Sequence, residues 1–244
     1  MIDRYAYATP LRTLDPAHKA GLSLSALGLC IILNRPAVGL AVIAWMWMLS
    51  LVWARHPGRL FGKILFAEGA FLAVSVLGVA VSVNFQPFSL GITRQGLDSA
   101  FLLFTRALGC AAALNFLALT TPWVDLLDLG QRLRLSPLLL DLMTLVYRFI
   151  FTLLESLERM RTAQEARLGY SGWRQGFNSA ALLAAHLLVD AYRRSAQTQI
   201  ALEGRGFTGA LTVLPNLYRR GKTAPVLTLL VTLSLLLLFY LFPA

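Results

Sequence analysis

The chain has 244 residues, of which 57% are apolar and only 14% charged, with a formal net charge of +10 and a mean hydropathy of +0.64. So few charges over this length argue against a soluble domain and place the chain in a bilayer. Thirteen of the 22 Lys and Arg residues fall within 121–222, a concentration that fits the cytoplasmic face of a membrane protein better than a nucleic-acid footprint. Cys30 and Cys110 sit singly in apolar runs and read as small buried hydrophobes.

Five apolar runs follow one another: 20–33, 37–54, 64–83, 97–120 and 224–242. A membrane-crossing helix needs about 20 residues. The last three runs reach that length and the second nearly does. The first is short, so it crosses only if His18, Lys19 and Asn34 snorkel to the interfaces or the bilayer thins. It lacks a small-residue cleavage pattern and is expected to stay in the mature protein. Asn34-Arg35-Pro36 is a tight break that makes the first two runs a hairpin. The loop with Arg55, Arg59 and Lys63 has no acidic residue and favours the cytoplasm, together with the N-terminus. The loop from Asn84 to Gln95, with Arg94 as its one charge, then faces outward, and the C-terminus ends outside.

Within the apolar runs, Glu68 and Arg106 stand out. Charged residues at membrane depth face a bundle interior or a pathway. These two could pair with each other and fix the third and fourth runs side by side; a proton or ion relay is the sharper alternative.

The interval 121–222 carries 13 positive and 8 negative side chains and is too long and too patterned for a mere connection. Pro122 opens a short helix toward Leu133, and Ser136-Pro137 opens a longer one. Leu142, Leu145, Phe149 and Leu153 recur at the helical period. Asp141, Arg148 and Glu155 repeat every seven residues as a polar stripe, either a solvated face or an ionic seam between helices. Pairing within the protein is the favoured case, because the segment 138–157 is otherwise apolar and is expected to lie partly in the membrane interface. A further helix over 178–203 puts Leu182, His186, Asp190 and Arg194 on one stripe. His186 reads as hydrogen-bonded or ion-paired rather than as a metal ligand.

Both long helices stop at an arginine beside a glycine: Ala166-Arg167-Leu168-Gly169 and, 38 residues on, Gly204-Arg205-Gly206. An arginine complements the negative end of the helix dipole, and the following glycine lets the chain leave in a left-handed turn. Two such ends read as a pair of plugs offered to a soluble partner; ordinary helix capping is the other reading. The chain thus divides into a membrane region (1–120), cytoplasmic or interfacial coupling helices (121–222) and a C-terminal membrane helix (223–244). The fold class is an all-α polytopic membrane bundle. No G-x-x-x-x-G-K-[ST], H-E-x-x-H or G-x-S-x-G motif occurs, so neither ATP hydrolysis by this chain alone nor a familiar hydrolase site is expected.

Taken in order, Leu14-Asp15-Pro16 with Lys19, Thr120-Thr121-Pro122 with Asp125-Leu126, Pro137, Tyr147-Arg148-Phe149, Glu155 and the two arginine motifs resemble the transmembrane T components of energy-coupling-factor transporters. The opening Ile2-Asp3-Arg4-Tyr5-Ala6-Tyr7 looks like the cobalt-type CbiQ branch. The resemblance implies a multi-pass protein of the bacterial inner membrane, without a cofactor or metal site of its own. It joins two ATP-binding-cassette ATPases to a substrate-capturing S component of CbiM type, with a small accessory membrane subunit and lipids as further partners and no nucleic acid. It assigns ATPase docking to Ala166, Arg167 and Gly169 on one helix and to Gly204, Arg205 and Gly206 on the other. Leu168 intervenes in the first motif and Gly204 replaces alanine in the second, which affects the docking register. Cobalt is the implied cargo, with nickel or a vitamin next. A conventional ABC permease half and a lipid-modifying membrane enzyme using Glu68, Arg106 and His186 are the competing readings.

Overall fold

The computed structural model describes residues 2–55, 57–85, 88–92, 94–207, 218 and 223–241. It divides into two compact units, Met1–Leu126 with Asn216–Ala244, and Leu127–Pro215.

The first unit begins with α1 (Ile2–Ala8) and a single 3-10 turn at Pro10–Thr13. Asp15 then caps α2 (Pro16–Ile32), its Oδ1 accepting from the Ala17 N–H at 3.1 Å, with Pro16 in the first turn. The chain breaks at Asn34, whose φ of 34° is left-handed, and Pro36 restarts it as α3 (Pro36–Val52). This is the hairpin expected from Asn34-Arg35-Pro36. Each arm has 17 residues, about 26 Å of helix and slightly short of the hydrocarbon thickness.

Next come α4 (Gly58–Ala80) and α5 (Arg94–Thr120). Where a loop was expected over 84–95, part of the described chain between them is strand. Val81–Phe85 and Phe88–Ile92 form antiparallel strands β1 and β2, paired from Val81 with Ile92 to Phe85 with Phe88. Alternation of β-branched and aromatic residues over Val81–Phe85 supports a strand once the apolar helix ends. The chain is therefore an all-α membrane bundle carrying one short hairpin.

In this unit α5 is the central helix, packed against α2, α3 and α4. Gly39 sits against α5 so closely that a Cβ would lie 2.6 Å from the Thr105 carbonyl oxygen, and Gly109 faces Cys30 and Gly39 in turn. Small residues at a helix crossing let backbones approach, the contact that replaces hydrophobic drive inside lipid. Around that crossing, Leu22, Val42, Met46, Phe61, Phe116 and Leu235 are almost fully buried. The last helix, α9 (Thr223–Leu241), supplies Leu235.

Charges lie at the two ends of this bundle. At one end Asn34, Arg35, Asp98 and Phe239 line a cavity of about 740 Å³, and the Arg35 guanidinium sits 5.7 Å from the Phe239 ring centroid. At the other end Lys19 does not snorkel to water. It is wholly buried, and its Nζ donates to the Leu11 and Thr120 carbonyl oxygens at 3.2 and 3.1 Å. Thr120 ends α5, so the ammonium satisfies an orphan carbonyl at the negative end of a helix dipole.

The helix α6 (Trp123–Arg132) follows. The second unit contains α7 (Pro137–Ala166) and α8 (Trp173–Glu203). They run antiparallel, since Gln164 near the end of α7 bonds Ser179 near the start of α8, while Ser156 bonds Asp190 farther along. α8 starts five residues before the expected 178, at Trp173. By length and composition Gly58–Val79, Gly96–Thr120, Pro137–Ala166 and Thr223–Tyr240 could each cross a membrane. For α7 this exceeds the expected interfacial placement. Its first five turns are apolar apart from Asp141 and Arg148, and the last three, from Glu155 to Glu165, carry most of the charge.

Candidate functional site

The two arginine motifs end their helices with the same backbone construction. At the first, Leu168 N–H donates to the Glu165 carbonyl at 3.0 Å and Gly169 N–H to the Gln164 carbonyl at 2.8 Å. At the second, Gly206 N–H donates to the Glu203 carbonyl and Phe207 N–H to the Leu202 carbonyl, both at 3.0 Å. This is the Schellman pattern, with a left-handed residue three positions beyond the carbonyl it bonds. The left-handed residues are Leu168 (φ 58°) and Gly206 (φ 72°).

The register therefore differs from the reading in which Gly169 follows its arginine into the left-handed turn. Superposing the bonds aligns Ala166 with Gly204, Arg167 with Arg205, Leu168 with Gly206 and Gly169 with Phe207. In each motif an arginine directly precedes the left-handed residue. Gly169 serves another purpose, since a Cβ there would stand 2.7 Å from Ser179 Oγ and 2.9 Å from the Gln164 carbonyl oxygen. Its smallness lets the turn lie flat against α8, where Ser179 Oγ donates to the Gly169 carbonyl at 2.8 Å.

Capping alone is ordinary: α6 ends in the same way, with Arg134 itself left-handed. The α6 end also shows an exposed Arg134 beside Leu133 and Leu135, 68% and 43% exposed, so what sets the other two ends apart is that they close the two long paired helices. Arg167 and Arg205 are exposed and make no ion pair among the described residues. Leu168 and Trp173 beside the first are 73% and 94% exposed, and Ile200 beside the second 69%. An unpaired guanidinium next to bare apolar side chains is the composition of a docking anchor. Because α7 and α8 are antiparallel and α8 has 31 residues, the two tips stand on the order of 40 Å apart at opposite ends of the pair.

A link not anticipated from the sequence ties that pair together. The buried Ser156 Oγ donates to Asp190 Oδ2 at 2.8 Å, and Arg194 Nε donates to the same oxygen at 3.0 Å. These bonds, the serine hydroxyl foremost, hold the Asp190 carboxyl below the usual carboxylate range. Gln164 braces the first tip: its Nε2 donates to the Ser179 carbonyl, and its Oε1 accepts from Tyr170 Oη. Serine and glutamine carry no charge to mark them. Only their spacing on the face of α7 that meets α8 could have pointed to them.

Asp141, Arg148 and Glu155 do not pair with one another among the described residues. Glu155 bonds Arg159 at 2.8 Å on an exposed surface, Arg161 pairs likewise with Glu165, and Arg148 is exposed without an ion pair among the described residues. Surface pairs one turn apart form locally at little cost, so they win over a distant partner. Asp141 is half-buried. His186 is exposed. Glu68 and Arg106 do not pair either. Both Glu68 oxygens accept from Asn115 Nδ2, at 2.9 and 2.8 Å, and Arg106 donates to Asn34 Oδ1 at 3.0 Å. The third and fourth runs are held side by side, but by an amide.

A family model described as CbiQ, cobalt transport protein, matches residues 8–217. The chain is 32% identical over 234 residues to the cobalt transport protein CbiQ of Rhodobacter capsulatus, covering 96% of this chain and 94% of that one. It is 28% identical over 249 residues to the putative fused cobalt transport protein CbiMQ of Methanocorpusculum labreanum, covering 98% and 41%. To the energy-coupling factor transporter transmembrane protein EcfT of Listeria innocua it is 27% identical over 183 residues, covering 70% and 61%.

Proposed function

Because the chain belongs to the CbiQ family and is a multi-pass transmembrane component of an energy-coupling-factor transporter, we propose that its two arginine-tipped helices each grip one of two ATPases. The matched construction of Arg167 and Arg205 at opposite ends of one rigid pair carries this reading. A planar guanidinium bonds a carboxylate through two parallel N–H groups and is never deprotonated. It therefore suits an acidic groove on a soluble domain. Two equivalent tips suit a pair of ATPases, whereas a conventional permease half would offer one coupling element.

Nucleotide-driven closure of the ATPases then moves the two tips. The motion travels along α7 and α8 as a unit, since Ser156, Asp190 and Arg194 lock one helix to the other. Bending would have to break that bridge. Asp141, Arg148 and Glu155 on α7 and Glu68 and Arg106 in the first unit are the residues through which a membrane partner would receive the motion. That partner is a CbiM-like subunit, and the fused CbiMQ relative bears both names in one chain. Cobalt is the cargo, recognised on the partner subunit; nickel is the alternative, and uptake of each radiolabelled ion by cells expressing the complete system separates them.

In this reading the N-terminus and both tips face the cytoplasm, and the C-terminus faces outward. Asn34, Arg35 and Asp98, near the start of the fourth run, share one cavity with Phe239 of the last helix, which supports placing these ends on one side.

The test is capture of the ATPases by the detergent-purified chain. Arg167→Glu or Arg205→Glu alone should weaken capture at least tenfold, and the double variant should abolish both capture and uptake. Full capture by the double variant would overturn the assignment.

A further inference from the structure

Between the middle of α7 and the end of α8 lies a cleft of about 290 Å³, lined by Arg148, Arg194 and Arg205 with no acidic side chain among its lining residues. Arg194, whose Nε donates to Asp190, is one of the lining residues. Arg148 and Arg205 make no ion pair among the described residues. Three like charges around one small space make its potential positive, which an anion would offset. Gln197 adds an amide to the lining, and Phe149 and Leu202 add apolar side chains.

The chemistry of the surrounding helix narrows the anion. On α7 the turns before and along the cleft expose Leu138, Leu142, Val146 and Ile150, at 76, 57, 48 and 48%. The following turns carry Glu155, Glu158, Arg159 and Arg161. The cleft thus sits where α7 passes from lipid-seeking to water-seeking, the level of lipid phosphates. A basic pocket between helices at that level matches a phosphodiester, with the apolar Phe149 and Leu202 beside it suited to the start of an acyl chain.

We propose that this cleft binds the phosphate of one anionic phospholipid through Arg148, Arg194 and Arg205. The site goes beyond ATPase docking and shares only Arg205 with it. Its test therefore uses Arg148, so that the two readings fail separately.

The full-length chain is purified in mixed phosphatidylglycerol and phosphatidylcholine, and retained lipid is read by native mass spectrometry. The expected result is one phosphatidylglycerol retained at least tenfold over phosphatidylcholine, loss of that preference in Arg148→Gln, and partial rescue in Arg148→Lys. Equal retention of both lipids, or an unchanged preference in Arg148→Gln, overturns the site. Inorganic phosphate at millimolar concentration should not displace the lipid; complete displacement would mark a free-anion site and overturn the lipid assignment. Weakened ATPase capture by Arg148→Gln without any lipid preference would assign the cleft to an acidic protein segment instead. A second measurement needs no variant. Short-chain phosphatidylglycerol should raise the Tm of the unmodified chain in neutral detergent by several degrees, and short-chain phosphatidylcholine should not. Equal shifts would overturn the proposal.

Discussion

Leu168 and Gly206 perform the same backbone task with unequal ease. A left-handed conformation costs an L-residue roughly 1–2 kcal/mol, and glycine avoids that cost while losing more freedom on folding. Leu168→Gly should therefore stabilise the first tip by about 0.5–1 kcal/mol, and Gly206→Ala should weaken the second by about 1 kcal/mol; thermal unfolding in detergent measures both. Gly169→Ala should be the most damaging of the three, because its Cβ would meet a backbone oxygen at 2.9 Å that has no room to yield. The sequence showed where both helices end and which arginines mark them. It did not show which residue takes the left-handed turn, because a glycine one position away from the true site looks like the better candidate until the bonds are traced.

At the scale of elements, what was legible follows hydropathy and what was hidden is neutral or paired. The hairpin of α2 and α3 could be read from Pro36, and the start of α7 from Pro137. By contrast, the Ser156 and Asp190 bridge has one silent partner, and Glu68 met Asn115 rather than the opposite charge that valence suggested. The Asp190 carboxyl titrates below its unfolded value of about 3.9. The bridge is therefore fully present above about pH 4 and is lost as the pH falls through the folded value. The Tm difference between the unmodified chain and Asp190→Asn should stay constant from pH 6 to about pH 4 and shrink as the pH is lowered further. Lys19 gives a larger expectation. Lys19→Met leaves the Leu11 and Thr120 carbonyls without their donor inside the bundle, which should destabilise the first unit by about 2 kcal/mol or more. Unfolding in a mixed-detergent titration reads that loss.

For the molecule as a whole, composition was enough to place the chain in a membrane, because it is a sum that local errors do not disturb. The antiparallel sense of α7 and α8 was not legible, since nothing in either helix alone specifies which end of the other it meets. Yet that sense decides the function proposed: it carries the tips to opposite ends of one pair, where two separate ATPases can be gripped at once.

The most direct measurement is site-specific cross-linking in the assembled transporter, with Arg167→Cys and Arg205→Cys introduced singly and together and a cysteine in the acidic groove of the ATPase. Each single variant should yield the chain joined to one ATPase, and the double variant the chain joined to two. Absence of any adduct from either position, or labelling of those cysteines by an impermeant reagent applied to the outside of intact cells, would contradict the account.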